Sequence, residues 1–386
     1  MRIRFYLLLA LVAVLATACA APTATTVPTV VPTVVPTKVP TAVPTTEPTA
    51  VPTPEKIIVT DALGRVVEFD KLPERVVIAG KATSLLIDTA YLFPRASQVI
   101  VAVEERLQNA QNFMPLLDAQ WAGKAILETD ASAEAIAPLQ PDLVILKTYM
   151  ADKLGAPLEQ LGIKVVYMDL ETPEAFYRDI ATLGILFGDP ARAEEVTAIY
   201  KSVYEDALSA TASLSDGERP SVLLLQYSDK GGTVSFNVPP AGWLQTSLVE
   251  AAGGKPVWTA DVTGSGWTVV TFEQIAAWNP DMVFLVDYKL RGLDIVEQLK
   301  ADAQWSILPA VVDGKLFAFP GDFLSWDQPD ARWILGLSWM AHIIQPDLFA
   351  NYDIQADVSG FYSKMYGMDD ATIKANILPL VEPFAP

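Results

Sequence analysis

The sequence predicts an α/β protein of two Rossmann-like lobes, each a parallel-rich sheet flanked by helices, joined by one long connecting helix. Three observations predict it. From about residue 55 onward, short apolar runs alternate with helical stretches, the pattern of parallel strands covered on both faces. One helical stretch, residues 190–214, is longer than the others and lies in the middle of that region. A short passage with a Pro-Asp turn occurs twice, once on each side of the long helix.

Composition narrows the functions. Of 386 residues, 51% are apolar and 19% charged, which allows a large core. Lys and Arg number 27 against 46 Asp and Glu, a net charge of −19, so phosphate backbones are repelled and nucleic acid is not an expected partner. The single cysteine excludes an intramolecular disulfide and any thiolate metal cluster. The single histidine excludes multi-His metal sites and leaves a catalytic triad only one base.

Residues 1–18 form an export signal. Arg2 and Arg4 precede an apolar run over residues 5–15, too short for a permanent membrane span. Ala16, Thr17 and Ala18 then lead directly to Cys19. This resembles a bacterial lipoprotein signal, in which the cysteine is lipidated, although Leu15 lies one position further from Cys19 than in the usual pattern. The alternative is an ordinary cleaved signal beside an unrelated cysteine. Cleavage there would remove both arginines and leave −21. More than one acyl chain would hold the protein at a membrane surface.

Residues 19–54 read as a stalk. Prolines recur every fourth position from Pro28 to Pro52 among Thr, Val and Ala, which excludes helix and sheet. The expectation is a polyproline II spacer of about 100 Å at most.

Residues 55–188 form the first lobe. A hairpin opens it, Ile57–Thr60 against Val66–Phe69 around Asp61-Ala-Leu-Gly64. Strands follow at Arg75-Val-Val-Ile-Ala79, Val99-Ile-Val-Ala-Val103, Leu143-Val-Ile-Leu146 and Lys164-Val-Val-Tyr-Met168. Helices are expected near residues 84–92, 154–161 and 173–187. The connecting helix, 189–214, is capped by Asp189 with Pro190 at its first position. Residues 215–386 form the second lobe, with strands at Ser221-Val-Leu-Leu-Leu225, Met282-Val-Phe-Leu-Val286 and residues 311–319. The last strong helix is expected over residues 329–344.

The repeat is the most informative feature. Glu134-Ala-Ile-Ala-Pro-Leu-Gln-Pro141-Asp142-Leu-Val-Ile145 is echoed by Glu273-Gln-Ile-Ala-Ala-Trp-Asn-Pro280-Asp281-Met-Val-Phe284, 139 residues later. Each copy describes a short helix, a Pro-Asp turn that stops it and a strand. One copy is common α/β punctuation. Two copies flanking one long helix point to duplicated lobes.

With that, the chain resembles the substrate-binding proteins of ABC importers. It is similar to their helix-hinged class, which carries iron–siderophore complexes, haem, cobalamin and, in some members, molybdate or tungstate. The resemblance spans roughly residues 55–377. It is supported by Leu72-Pro-Glu-Arg-Val-Val-Ile78, Ser247-Leu-Val-Glu-Ala-Ala-Gly-Gly254 and Trp326-Asp-Gln-Pro-Asp-Ala-Arg-Trp-Ile-Leu-Gly-Leu337. It implies a monomer that captures a small molecule between the lobes, an iron complex first among the options. It also implies an ABC permease and its ATPase as partners, with no resident cofactor. A glutamate on each lobe would dock onto permease arginines; by motif position these are Glu134 and Glu273. Two carboxylates on separate lobes make a two-point contact sensitive to lobe geometry. The plainer alternative is that each favours the positive end of its helix.

In parallel α/β lobes, ligands lie beyond the carboxyl ends of the strands. In the first lobe that singles out Lys81, Thr83 and Ser84, then Glu104, Arg106 and Gln108, then Lys147, Thr148 and Tyr149. In the second it singles out Tyr227, Ser228, the 236–243 segment with Trp243, then Tyr288, Lys289 and Arg291, and finally Trp326, Asp327 and Arg332. Lys81, Arg106, Lys147, Lys289 and Arg291 would make the crevice positive within an acidic chain, suited to a ferric chelate or an oxyanion. Each can equally be a solvated loop charge. Trp243, Trp267 and Trp326 can pack on a chelate or fill the core. For haem, Tyr149, Tyr227 and Tyr288 offer axial phenols. His342, on an apolar helix, reads as a hydrogen-bonded core residue rather than a metal ligand.

Two other classes stay open. A tethered hydrolase is the first: the sequence holds no Gly-x-Ser-x-Gly, His-Glu-x-x-His or phosphate-loop motif, but paired carboxylates can cleave glycosides without histidine. A stalked adhesion module would need no polar crevice.

Overall fold

In the computed structural model, Pro28 and residues 56–105 and 112–385 are described. The export signal, Cys19, the rest of the stalk, Arg106 and Gln108 lie outside the described residues.

Strands β1 (Ile57–Thr60) and β2 (Val66–Phe69) pair antiparallel, Ile57 opposite Phe69, as the turn residues predict. Asp61 closes the turn by accepting from the N–H groups of Leu63 and Arg65. The first sheet follows, with β3 (Val76–Ile78), β4 (Ile100–Glu104), β5 (Ala125–Leu127), β6 (Leu143–Lys147) and β7 (Val165–Met168). It is wholly parallel in the order β5-β4-β3-β6-β7. Both faces are covered. Val77, Val144, Leu146 and Val165 point one way, onto Ile136, Leu154 and Leu158, while Val76, Ile78, Ile145 and Val166 point the other way into the main core.

The connecting helix runs Pro190–Thr211, with the Asp189 carboxylate accepting from the N–H of Arg192 at 3.0 Å. The second sheet holds β8 (Ser221–Ser228), β9 (Ser235–Val238), β10 (Lys255–Pro256), β11 (Thr268–Val270), β12 (Met282–Val286) and β13 (Leu316–Ala318). Its order is β11-β9-β8-β12-β13, with β10 beside β8. It is mixed, because β9 runs antiparallel to both β8 and β11. The two-lobed α/β architecture is therefore present.

Three element expectations need correction. Residues 311–319 do not form one strand: Pro309–Val312 is a helical turn, Gly314 takes φ +71°, and only Leu316–Ala318 is extended. The helix expected from Pro329 starts at Trp333, because residues 329–332 form a buried turn whose side chains are tied elsewhere. Nor is it the last strong helix. Ile354–Tyr366 follows, capped by Asp353 and ended by Gly367 at φ +64°.

The duplicated passage proves structural as well as textual. Gln140 and Asn279 both end their helices in the left-handed region, φ 51° and 47°. Asp142 accepts from the N–H groups of Glu74 and Arg75 at 2.8 and 2.9 Å, at the start of β3. Asp281 accepts from the N–H and hydroxyl of Ser221 at 2.7 Å, at the start of β8. Each Pro-Asp carboxylate thus fastens the first strand of its sheet beside the strand it introduces, β6 or β12.

The lobes meet through more than the connecting helix. Phe113 of the first lobe packs on Phe323, Tyr362 and Tyr366 at ring separations of 5.1–5.5 Å. Arg192 donates to the carbonyls of Leu92, Lys364 and Met365.

Candidate functional site

At the carboxyl edge of the first sheet, β3 runs out through Ala79 and Gly80 to Lys81. Gly80 takes φ +87°, and a Cβ there would lie 3.0 Å from Met150. The buried Glu104 carboxylate, at the end of β4, accepts from the N–H of Gly80 at 2.7 Å and of Asp130 at 2.8 Å. One side chain therefore shapes two loops. Thr83 is fully buried and donates to the Glu104 carbonyl. Lys81 is exposed at the rim, and Tyr149 is 55% exposed after β6. Lys147 is fully buried: its ammonium donates to Glu171 at 2.6 Å and to the Asp169 carbonyl. Glu171 also reaches the other lobe, its carbonyl accepting from the N–H of Leu244 at 2.7 Å.

Across the crevice, Lys289 lies 2.6 Å and Arg291 2.8 Å from the two oxygens of Asp229. Arg291 also spans Asp287 at 3.0 Å and sits over the Tyr227 ring at 5.7 Å. Lys289 and Arg291 hold the Asp229 carboxyl down at about 2. Two cations face two carboxylates here, so Lys289 and Arg291 bring no net positive charge where the sequence alone suggested one.

Beside it runs a row of aromatics. Trp243 and Trp267 meet edge to face at 5.8 Å, and Trp267 meets Tyr288 at 6.1 Å. The Tyr288 hydroxyl donates to Asp327 at 3.2 Å. Asp327 also accepts from Ser325 at 2.6 Å and Gln245 at 3.4 Å. It is fully buried, and burial pushes its carboxyl up to about 6 despite these three bonds.

Trp326 and Arg332 lie in the interior instead of on the rim. Trp326 is fully buried, its indole N–H donating to Asp322 at 3.1 Å. Arg332 is fully buried among Asp88, Asp322 and Asp330. His342 bonds the Phe349 carbonyl through Nδ1 at 2.9 Å and stacks on Tyr352. Among the described residues no group of three or more His, Cys, Asp or Glu is arranged to hold a metal.

Between the lobes lies a recess lined by Ser84, Asp88, Glu105 and Phe113 from the first and by Phe323 and Leu324 from the second. Burial raises the Glu105 carboxyl above its ordinary range, while its bond from Asn112 works against the rise. Sequence reasoning named neither Glu105 nor Asp229 nor Asp287, although each is the immediate neighbour of a named position. The position at a strand end was legible; which neighbour carries the pairing carboxylate was not.

Glu134 and Glu273 are both exposed. The Asp130–Glu104 bond places the approach to Glu134 at the carboxyl edge of the first sheet. Val270 pairs with Phe236, itself opposite Tyr227 near the end of β8, which places the approach to Glu273 at the same edge of the second. Each carboxyl is held below its usual range. Ser132 and the backbone N–H do so for Glu134, the backbone N–H and Thr271 for Glu273.

Two lobes with a crevice at their carboxyl edges define a bilobal solute-binding protein. A family model described as "Periplasmic binding protein" matches residues 124–323, and the chain belongs to that family. The chain is 24% identical over 335 residues to the molybdate-binding protein MolA of Haemophilus influenzae, covering 80% of this chain and 90% of MolA. Among solved structures it resembles a periplasmic solute-binding protein of Veillonella parvula, with TM-score 0.67, 23% identity, and 84% of this chain and 98% of that one covered. It also resembles molybdate-bound MolA, with TM-score 0.65, 22% identity and coverages of 80% and 98%. Helicobacter pylori CeuE gives TM-score 0.65, 15% identity and coverages of 86% and 100%. No helix among the described residues is long and apolar enough to cross a membrane.

Proposed function

We propose that this protein is the substrate-binding component of an ABC importer, tethered outside the cytoplasm by lipid on Cys19. In this reading it captures a metal chelate of the ferric siderophore kind between its lobes and presents it to a permease. The observation that carries the importer role is the doubled helix–Pro-Asp–strand unit, which sets one exposed glutamate, Glu134 or Glu273, at the carboxyl edge of each sheet. Charge on both lobes lets a partner sense their relative position. The helix between the lobes and the aromatic joint around Phe113 favour modest closure.

The chelate is supported by the row of Trp243, Trp267 and Tyr288 beside the charge-paired Lys289 and Arg291, which offers ring surface to a ligand with apolar faces. Molybdate or tungstate is the second reading, favoured by the likeness to MolA along most of its length. Haem and cobalamin fit the same crevice class. The test uses the mature chain with Cys19→Ser, titrated with ferric chelates, haem, cobalamin, molybdate and tungstate. Tryptophan fluorescence and Tm are followed. A chelate that binds 1:1 and, at about 100-fold excess over Kd, stabilises by about 2.7 kcal/mol supports the first reading. A response to molybdate alone selects the second. Turnover of any of these compounds sinks the binding-protein role. Palmitate labelling lost in Cys19→Ser checks the anchor.

A further inference from the structure

Arg332 is fully buried and belongs to the segment after β13, in the second lobe. Its Nη1 lies 2.5 Å from Asp88 Oδ2 and 2.8 Å from Asp330 Oδ2, and its Nε lies 2.8 Å from Asp322 Oδ1. Asp88 sits on the Thr83–Ala90 helix of the first lobe, so this ion cluster crosses between lobes. All three carboxylates are at least 95% buried. One guanidinium thus faces three carboxylates, and its Nη2 has no partner among the described residues. Fully ionised, the cluster would bury an excess of two negative charges, which a low-dielectric interior does not tolerate.

Among the described residues, the surrounding elements supply no second cation at the cluster. From the helix Ile354–Tyr366, Tyr362 donates to Asp322 at 2.5 Å and accepts from Arg332 Nε, and Tyr366 donates to the Asp88 carbonyl. From the connecting helix, Tyr200 donates to the Ala331 carbonyl, and Arg192 is engaged by Glu195 and three carbonyls. Trp326 donates to Asp322, Phe113 lies under the guanidinium, and Glu105 lines the recess that Asp88 shares. Burial, ahead of the opposing pull of Arg332, raises the carboxyls of Asp88 and Asp330, the latter to about 7. The retained proton belongs to the cluster as a whole.

We propose that the Arg332–Asp88–Asp322–Asp330 cluster is a proton-locked clasp between the lobes, closed while one carboxyl keeps its proton and loosened when that proton leaves. Asp88 is at once a member of the clasp and a wall of the recess, so loosening frees the crevice to open. A carboxyl whose folded pKa lies above its unfolded value stabilises fully below about pH 4, and that stability is lost as pH rises toward about 7. The clasp rests on the two-lobed fold and not on the identity of the ligand.

The test compares the mature Cys19→Ser chain with the same chain carrying Asp330→Asn, an amide close in shape to the protonated acid. Tm is followed from pH 4.5 to 8. Amide exchange of residues 83–90 and 319–332 is compared at pH 7.5. Taking the Tm difference cancels titrations common to both chains, including that of Asp327. The expected result is a Tm advantage of the variant that grows from pH 4.5 to about 7 and then levels off. Exchange in both segments should be severalfold slower in the variant. Parallel Tm profiles, or equal exchange in the two chains, overturn the clasp. If Asp330→Asn does not fold, Asp88→Asn takes the same test. Failure of both to fold at pH 4.5 also overturns it, because the amide stands in for the closed state.

Discussion

A lysine or arginine at a strand end brings positive charge to a crevice only if no carboxylate reaches it first. Asp229 and Asp287 reach Lys289 and Arg291, and Glu171 reaches Lys147. Each carboxylate removes a charge that a strand-end argument assigns to the ligand. Asp229 is the one to test. In Asp229→Asn, Lys289 loses its partner and the rim gains one positive charge. Affinity for an anionic chelate is expected to rise several-fold at low salt, with the gain fading at 0.5 M as screening shortens the interaction. Titration at two ionic strengths checks this; equal affinities at low salt would remove the rim from the ligand's path. The depressed Asp229 carboxyl also stabilises the fold above about pH 4, and that part is lost as pH falls toward about 2. Arg332 shows the opposite outcome. Its place at the start of a helix near the crevice was legible, but its burial among three aspartates depends on residues 2, 10 and 244 positions away.

Among the elements, the duplicated passage carried the most information. A helix end, a Pro-Asp turn and an apolar strand are local features, set by proline's missing N–H and by aspartate's capacity to accept backbone bonds. Asp142 and Asp281 then perform one task in two sheets. Gln140 departs from the local ideal, since a glutamine at φ 51° is strained where Asn279 at 47° is better tolerated. Gln140→Gly is expected to raise stability by about 0.5–1 kcal/mol. Asn279→Gly should change it by less. Urea midpoints of the two variants decide the matter, and a destabilised Gln140→Gly would mean that its side chain matters more than its backbone. Apart from the helix Ile354–Tyr366, the elements misread were short ones. Residues 311–319 read as one strand, but the helical turn that starts at Pro309 and the left-handed Gly314 between Asp313 and Lys315 leave only a three-residue strand. β5, β9 and β11 have three or four residues each, too few for periodicity to register.

At the scale of the described chain, a parallel and a mixed sheet are joined by one connecting helix and by a second set of contacts around Phe113 and Arg332, which in the proposed reading limit closure. Docking and capture then become separable. Charge reversal at Glu134 or Glu273, both exposed and neither a member of the aromatic row, is expected to cut transport by tenfold or more while leaving Kd within twofold. Uptake in cells measured beside binding in solution makes the comparison. A matching loss of affinity would refute the docking role.

The amino-acid sequence by itself determined the two-lobed α/β class, the capped connecting helix and the doubled Glu…Pro-Asp passage. All of these depend on residue type and spacing along the chain, which act over one or two turns of backbone. Only the tertiary structure decided which cations are spent on carboxylates and that the second sheet is mixed. It also decided that Gly336 must lack a side chain, because a Cβ there would come within 2.4 Å of the Trp326 carbonyl. The interlobe cluster belongs with these. Each depends on distances between groups far apart in sequence, and Coulomb energy, hydrogen bonding and steric overlap depend on those distances, which packing alone supplies.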